Sequence, residues 1–233
     1  MRSRSLRASR EMVQNKGVRP SKTATRGIGY QTMADRVYQF KITLQEISPK
    51  IWRRIQVPEK YSFWDLHVAI QDAMGWQDKH LHLFKIKRKR AHKHAHIGIP
   101  DDEMFDDEPK VQPSWEIGIR THFNDLGIEA IYEYDFGDGW IHKILLEGYM
   151  VKKRGIKYPQ CIGGKRACPP EDCGGVFGYH QLLEILSDKK HSDYQEMVNW
   201  LGGEYNPEFF DQEIVRFDNP KKRWRMAFLD PSL

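Results

Sequence analysis

Apolar and polar positions alternate through residues 37–47, where Tyr38, Phe40, Ile42 and Leu44 fall on one face. A period of two marks a half-buried strand. Ser48-Pro49 breaks the pattern and residues 51–57 resume it, with Ile51, Ile55 and Val57 on one side and Trp52 on the other, until Pro58. Two strands so close in the chain predict a hairpin. Over residues 62–74 the period becomes helical, with Phe63, Leu66, Ile70 and Ala73 as the stripe. Ser62 and Asp65 have capping-box spacing and Gly75 suits the C-terminal cap, so both helix ends are specified.

Residues 80–87 read as a strand, with His82, Phe84 and Ile86 on one face. The stretch 88–113, from KRKRAHKHAH to DDEMFDDE, reads as a long polar loop, and loops of more than roughly 12–15 residues are functional or disordered. Residues 128–134 and 140–149 are strands joined by Phe136-Gly137-Asp138-Gly139, a strong hairpin signal. Residues 152–176 form a second loop rich in Gly, Pro and Cys. Three helices are expected after it. The first carries Tyr179, Leu182, Leu183 and Leu186; the second is capped at Ser192 and carries Met197, Val198 and Leu201. The third starts at Asn206-Pro207 and carries Phe210, Ile214 and Phe217. Strands first and helices last predict an α+β fold: a mixed, mostly antiparallel sheet, one helix after the first hairpin, and a C-terminal helical cluster.

Charge changes the picture at one end. The chain has 37 Lys/Arg against 32 Asp/Glu, a net +5. Residues 1–32 hold eight of those cations and only Glu11 among the acids, which leaves 29 basic against 31 acidic beyond them. The chain is therefore divided into a disordered basic extension, 1–32, with Met33 as the functional start, and a single domain, 33–233. Arg2, Arg4, Arg7 and Arg10, together with Lys87, Arg88, Lys89 and Arg90, are the candidate phosphate contacts for a nucleic-acid partner. No apolar run is long enough for a membrane helix, and the first residues lack a signal-peptide core, so a cytoplasmic location is expected. Three cysteines are too few for a disulfide scaffold.

Chemistry is concentrated in two segments. In YEYDFGDGWIHKI, Asp135 and Asp138 flank the turn, and His142 shares the apolar row of Trp140, Ile144 and Leu146. A histidine beside two carboxylates suits acid–base or metal chemistry, so Asp135, Asp138 and His142 are the catalytic candidates. The structural alternative assigns Asp138 to the turn backbone, positive φ to Gly137 and Gly139, and Trp140 to the core. In CIGGKRACPPEDCGG, Cys161, Cys168 and Cys173 are spaced more widely than zinc pairs usually are and lack a fourth ligand. His142, His82, His180 and Asp172 are the candidates for it. Buried thiols packing the loop, or a redox pair, explain the cysteines without zinc. No P-loop, GxSxG, HExxH or dinucleotide fingerprint is present.

The succession of VYQFKITLQEISPKIWRRIQVPEKYSFWDLHVAIQDAMGW, HLHLFKI, YEYDFGDGWIHKI and CIGGKRACPPEDCGG resembles the plasmid pRiA Orf3-like family, also labelled insertion-sequence passenger or TnpR-like proteins. The likeness runs from about Val37 to Phe217. It implies a sheet of the α/β-roll type, and a shared site at Asp135, Gly137, Asp138, Gly139, Trp140, His142, Cys161, Cys168 and Cys173. It implies no activity. The resolvase suggested by the TnpR label lacks support here, because neither an N-terminal nucleophilic serine among arginines nor a helix-turn-helix is visible. Three readings of function follow: an interaction module, with nucleic acid as its candidate partner, tied to mobile elements; a metal-dependent hydrolytic enzyme; and a domain with a structural zinc site or thiol-packed loop.

Overall fold

The computed structural model describes residues 35–87, 94–100 and 109–229. The basic extension, including Arg2, Arg4, Arg7 and Arg10, lies outside these, as do Arg88, Lys89 and Arg90. The first hairpin is β1 (Arg36–Leu44) and β2 (Trp52–Pro58), followed by α1 (Phe63–Met74) and β3 (His82–Lys87). Then come β4 (His94–Gly98), β5 (Gln112–Pro113), β6 (Glu129–Tyr134), β7 (Trp140–Val151) and β8 (Gln160–Lys165). The helices α2 (Gly175–Ser187), α3 (Tyr194–Leu201) and α4 (Pro220–Phe228) close the chain.

Eight strands form one sheet in the order β5-β4-β3-β6-β7-β1-β2-β8. Every pairing is antiparallel except the short β4–β5 contact. The alternation read in the sequence sets the sheet's inner face: Phe40, Ile42, Leu44, Phe84, Tyr132, Trp140, Ile144 and Leu146 are all buried. The stripe of α1 packs into the same cluster. Phe63 meets Phe84 edge-on at 5.1 Å. Ser62 and Asp65 complete the capping box at 3.1 and 2.9 Å, and Gly75 closes α1 in the left-handed conformation. Such a cap contributes about 1 kcal/mol.

Three expectations change. The polar stretch 88–113 is not all loop: His94–Gly98 is β4, because Ala95 and Ile97 alternate inward against β3. The cysteine loop contains β8, paired to β2 through Ile55–Cys161. The helix expected at Asn206-Pro207 is a turn followed by a 3-10 turn at Gln212–Ile214. The chain's other Asn-Pro pair starts α4 instead, with Asn219 accepting from the N–H groups of Lys221 and Lys222. Packing decides between the two. The α4 residues Trp224 and Phe228 join Trp64, Leu81, Ile99 and Trp115 in a second apolar cluster, and Arg223 pairs with Asp72 at 2.5 Å.

Candidate functional site at the junction of two loops

The β6–β7 turn is built around Asp135, which adopts a left-handed conformation, φ 54°. Its Oδ1 accepts from the N–H of Gly137 at 2.9 Å and its carbonyl from Gly139 at 2.6 Å. Its own N–H donates to Leu81, which ties the turn to the start of β3. Gly139 takes the positive φ that closes the hairpin. With Oδ1 held inside the turn, Oδ2 is left to face outward. The turn carboxylate is thus Asp135 and not Asp138, as the structural alternative supposed. Trp140 fills the core.

Asp138 reaches across instead. Its Oδ2 accepts from the N–H of Gly174 at 3.2 Å, at the head of α2. The approach is so close that a Cβ on Gly175 would lie 2.3 Å from the Asp138 carbonyl oxygen. The loop Pro169-Pro170-Glu171-Asp172-Cys173 is thereby pressed against the aspartate turn. Trp76 pins it by donating Nε1 to the Pro169 carbonyl at 2.9 Å. Glu171 accepts from the N–H of Gln77 at 2.6 Å and from the Tyr134 hydroxyl at 3.1 Å. Burial first, and Glu171 next, push the Tyr134 hydroxyl pKa upward, so it stays protonated and donates.

Three carboxylates converge on His80, which lies just before β3. Its Nε2 is 3.0 Å from Asp172 Oδ1, 3.5 Å from Asp135 Oδ2 and 3.6 Å from Glu171 Oε2. That nitrogen is buried yet makes no well-angled hydrogen bond. The His80 side chain is 15% exposed and that of Asp172 58%, so the cluster sits at the surface end of a buried wall. One ligand atom each from His80, Asp135 and Asp172 lie within 4.8 Å of one another. Beside them a cleft of about 470 Å³ is lined by Trp76, Lys79, Glu171, Asp172, Trp200 and Tyr205.

The sequence-derived candidates fall into separate places. Asp135 belongs to the cluster and Asp138 braces it from the loop side. His142 does not join it: its ring is fully buried between Trp76 and Tyr132, 5.2 and 5.4 Å between centroids. Burial, only partly opposed by the neighbouring backbone of Tyr132 and Trp140, pushes its pKa down to about 4, so it is a neutral core histidine.

Cys161, Cys168 and Cys173 are free. Among the described residues they form no three-donor group with His142; the donors that converge are those of His80, Asp135 and Asp172. Cys161 donates to the Gly163 carbonyl from β8, and Cys168 lies near the buried Arg53 guanidinium. Burial raises all three thiols, Cys173 to about 12. Burial therefore disfavours the thiolate at each, and the donors that converge in space are two carboxylates and a different imidazole. Of the candidate phosphate contacts, Lys87 is exposed at the end of β3. The cations Lys85 and Lys143 on the same side of the sheet, and Arg54 on β2, are each paired with a glutamate.

His80 and Glu171 escaped the sequence reading. His80 lay inside an expected strand, and nothing in its spacing to Asp135 or Asp172 links them. In the sequence Asp172 reads only as a partner for the cysteines.

The chain is 42% identical to a solved structure described as a protein of unknown function, MM3350 from Methanosarcina mazei Go1. That similarity covers 79% of this chain and 99% of the other, with a TM-score of 0.71. It is 33% identical over 171 residues to the uncharacterized protein y4hQ of Sinorhizobium fredii, covering 73% of this chain and 83% of the relative. The family model for plasmid pRiA4b ORF-3-like proteins matches residues 36–214, which span the whole sheet, the aspartate turn and the cysteine loop, so the chain belongs to that family.

Proposed function

We propose that this protein is a metal-dependent hydrolytic enzyme whose divalent cation is held by His80, Asp135 and Asp172. The observation that carries this reading is the convergence of three donor atoms, from three separate segments of chain, on one side of a ring nitrogen that makes no hydrogen bond. Donors bound at about 2.0–2.2 Å to one ion lie roughly 3–3.6 Å apart. His80 meets both aspartates at 3.0 and 3.5 Å. Asp172, the most exposed of the three, has the freedom to close on an ion. One imidazole with two carboxylates suits Mn²⁺ or Zn²⁺. Three protein ligands leave coordination positions open, which is the arrangement that activates water. Glu171 stands beside the set, oriented by Gln77 and Tyr134, where it can take a proton from that water.

A proton on His80 would satisfy the same oxygens, and metal titration separates the two occupants. Metal-stripped protein titrated with Mn²⁺ or Zn²⁺ in a calorimeter should bind one ion per chain. His80→Ala and Asp172→Asn should lose that binding while keeping the circular dichroism of the parent. Binding that persists in both variants, or no saturable binding in the parent, would leave His80 as an ion-paired imidazolium and end the proposal.

A further inference from the structure

The inward row that runs through β2 is Ile51, Arg53, Ile55 and Val57, all buried. Arg53 is a charge in a hydrocarbon row, only 2% exposed. Its Nε donates to the Ala73 carbonyl at 2.9 Å and so caps the last turn of α1. Nη1 donates to the carbonyls of Trp52 and Lys165. Phe210 covers one face of the guanidinium at 4.1 Å. It can lie there because the residue opposite Arg53 on β8 is Gly164, where a Cβ would meet the Phe210 ring at 2.4 Å. The remaining nitrogen, Nη2, has no hydrogen bond among the described residues, and none of their carboxylates pairs with Arg53. Burial pulls the Arg53 pKa down, and the groups that oppose the pull are the thiols of Cys168 and Cys161 and the Tyr205 hydroxyl, with no acid among them. A buried charge met only by neutral groups is costly.

Arg53 lines a cavity of about 260 Å³ between the end of α1 and the 3-10 turn at Gln212–Ile214. We infer that this cavity binds a small organic carboxylate with an apolar tail, its head group on Arg53, at a site independent of the metal centre. The wall supplies the tail's contacts: Met74, Phe209, Phe210 and Ile214 line the cavity, and Phe209 and Ile214 are left more than half exposed. The volume lies just under the roughly 300–1,000 Å³ of ordinary ligand pockets, so the ligand is small. The head group is selected by an open donor and not by net charge. Arg53, Arg216, Asp72 and Asp211 all line the space, and their formal charges cancel. Asp72 has both oxygens engaged, by Arg223 at 2.5 Å and by the N–H of Asp218 at 2.8 Å. Asp211 Oδ1 accepts from the N–H of Glu213, and the exposed Arg216 donates to the carbonyls of Glu213 and Val215. What is left unmet is one buried guanidinium nitrogen. A carboxylate oxygen brings it both an acceptor and a charge, and charge-assisted bonds are the strong ones. One nitrogen is too little for the several oxygens of a phosphate.

The test titrates the full chain with hexanoate in a calorimeter, with a chelator present so that no carboxylate is held through a metal ion. One hexanoate per chain should bind, at least about tenfold more tightly than hexanol, hexylamine or acetate, since the charged head and the tail each contribute that much or more. Arg53→Met should lose the binding and keep the circular dichroism of the parent. If that variant does not fold, the exposed rim decides: Ile214→Glu should fold as the parent does and bind hexanoate about tenfold or more weakly, because it sets a like charge and a lost contact against the ligand. Equal binding of hexanol or acetate, tighter binding of hexyl phosphate, unchanged affinity in Arg53→Met or Ile214→Glu, or no saturable binding by the parent would leave Arg53 as a helix cap alone and overturn the inference. Loss of metal binding at His80 would leave this site standing.

Discussion

Two histidines two residues apart, His80 and His82, have opposite surroundings. His82 is buried under α1, stacked on His67 at 3.6 Å between ring centroids, and neither of its nitrogens has a hydrogen-bond partner. His142, across the same wall of rings, is equally orphaned. His67 contrasts with both, bonded to Asp78 at 2.6 Å and to the Tyr132 hydroxyl at 2.8 Å. Burial pushes the pKa values of His82 and His142 down, which keeps them neutral. His80 also has a nitrogen without a hydrogen bond, but that nitrogen faces three carboxylate oxygens, and two of those acids, Glu171 and Asp172, line a cleft. An unpartnered imidazole walled by hydrocarbon is a cost absorbed by packing, whereas one walled by anions stands where positive charge, its own proton or a bound ion, is stabilised. Residue type alone does not separate these cases.

That contrast can be broken or sharpened experimentally. The largest effect is expected where the two loops press together. Gly175→Ala would drive a methyl into the Asp138 carbonyl at a backbone φ of 68°, and should cost about 4 kcal/mol in urea unfolding. A variant as stable as the parent would mean that the joint is loose. Next comes acid. His142 has a folded pKa of about 4 against about 6.5 in the unfolded chain, so the unfolded state takes up the proton first. Stability should be fully present above pH 6.5 and fall by about 3 kcal/mol as pH drops to about 4, with His82 adding loss in the same direction. An unfolding midpoint unchanged between pH 7 and pH 4.5 would contradict the core reading.

The cluster side predicts a different readout. His80→Ala should lose the saturable Mn²⁺ binding of the parent, with little change in the metal-free unfolding midpoint. The smallest effect separates the two environments most cleanly. His142→Leu removes two unpaired nitrogens from an apolar site and should raise stability by about 1 kcal/mol without altering metal affinity. A loss of affinity in that variant would return His142 to the functional set.

Much of the fold was legible because its strands and α1 carry strict periods. The row Trp140, His142, Ile144 and Leu146 was read as inward and is inward. β4 was missed because only Ala95 and Ile97 carry its inner face amid lysines and histidines. α4 was missed because Asn206-Pro207 offered the same start signal as Asn219-Pro220, and only packing against Trp64 and Trp115 distinguishes them. At the candidate site the crowded aspartate turn and the CPPEDCGG loop were both conspicuous, and Asp135 was named. In the loop the side chains that meet an imidazole are the carboxylates of Glu171 and Asp172, beside the cysteines that the spacing made conspicuous.

Local spacing determined the strands, the capped helix and the tight turn, since each depends on neighbours a few residues away. Which imidazole meets which carboxylate depends on chain segments separated by 37 to 92 residues, from His80 to Asp135 to Asp172. Only the pairing of β3 with β6, and the glycines that let α2 lie against the turn, bring those atoms together, and no periodicity along the chain encodes that meeting.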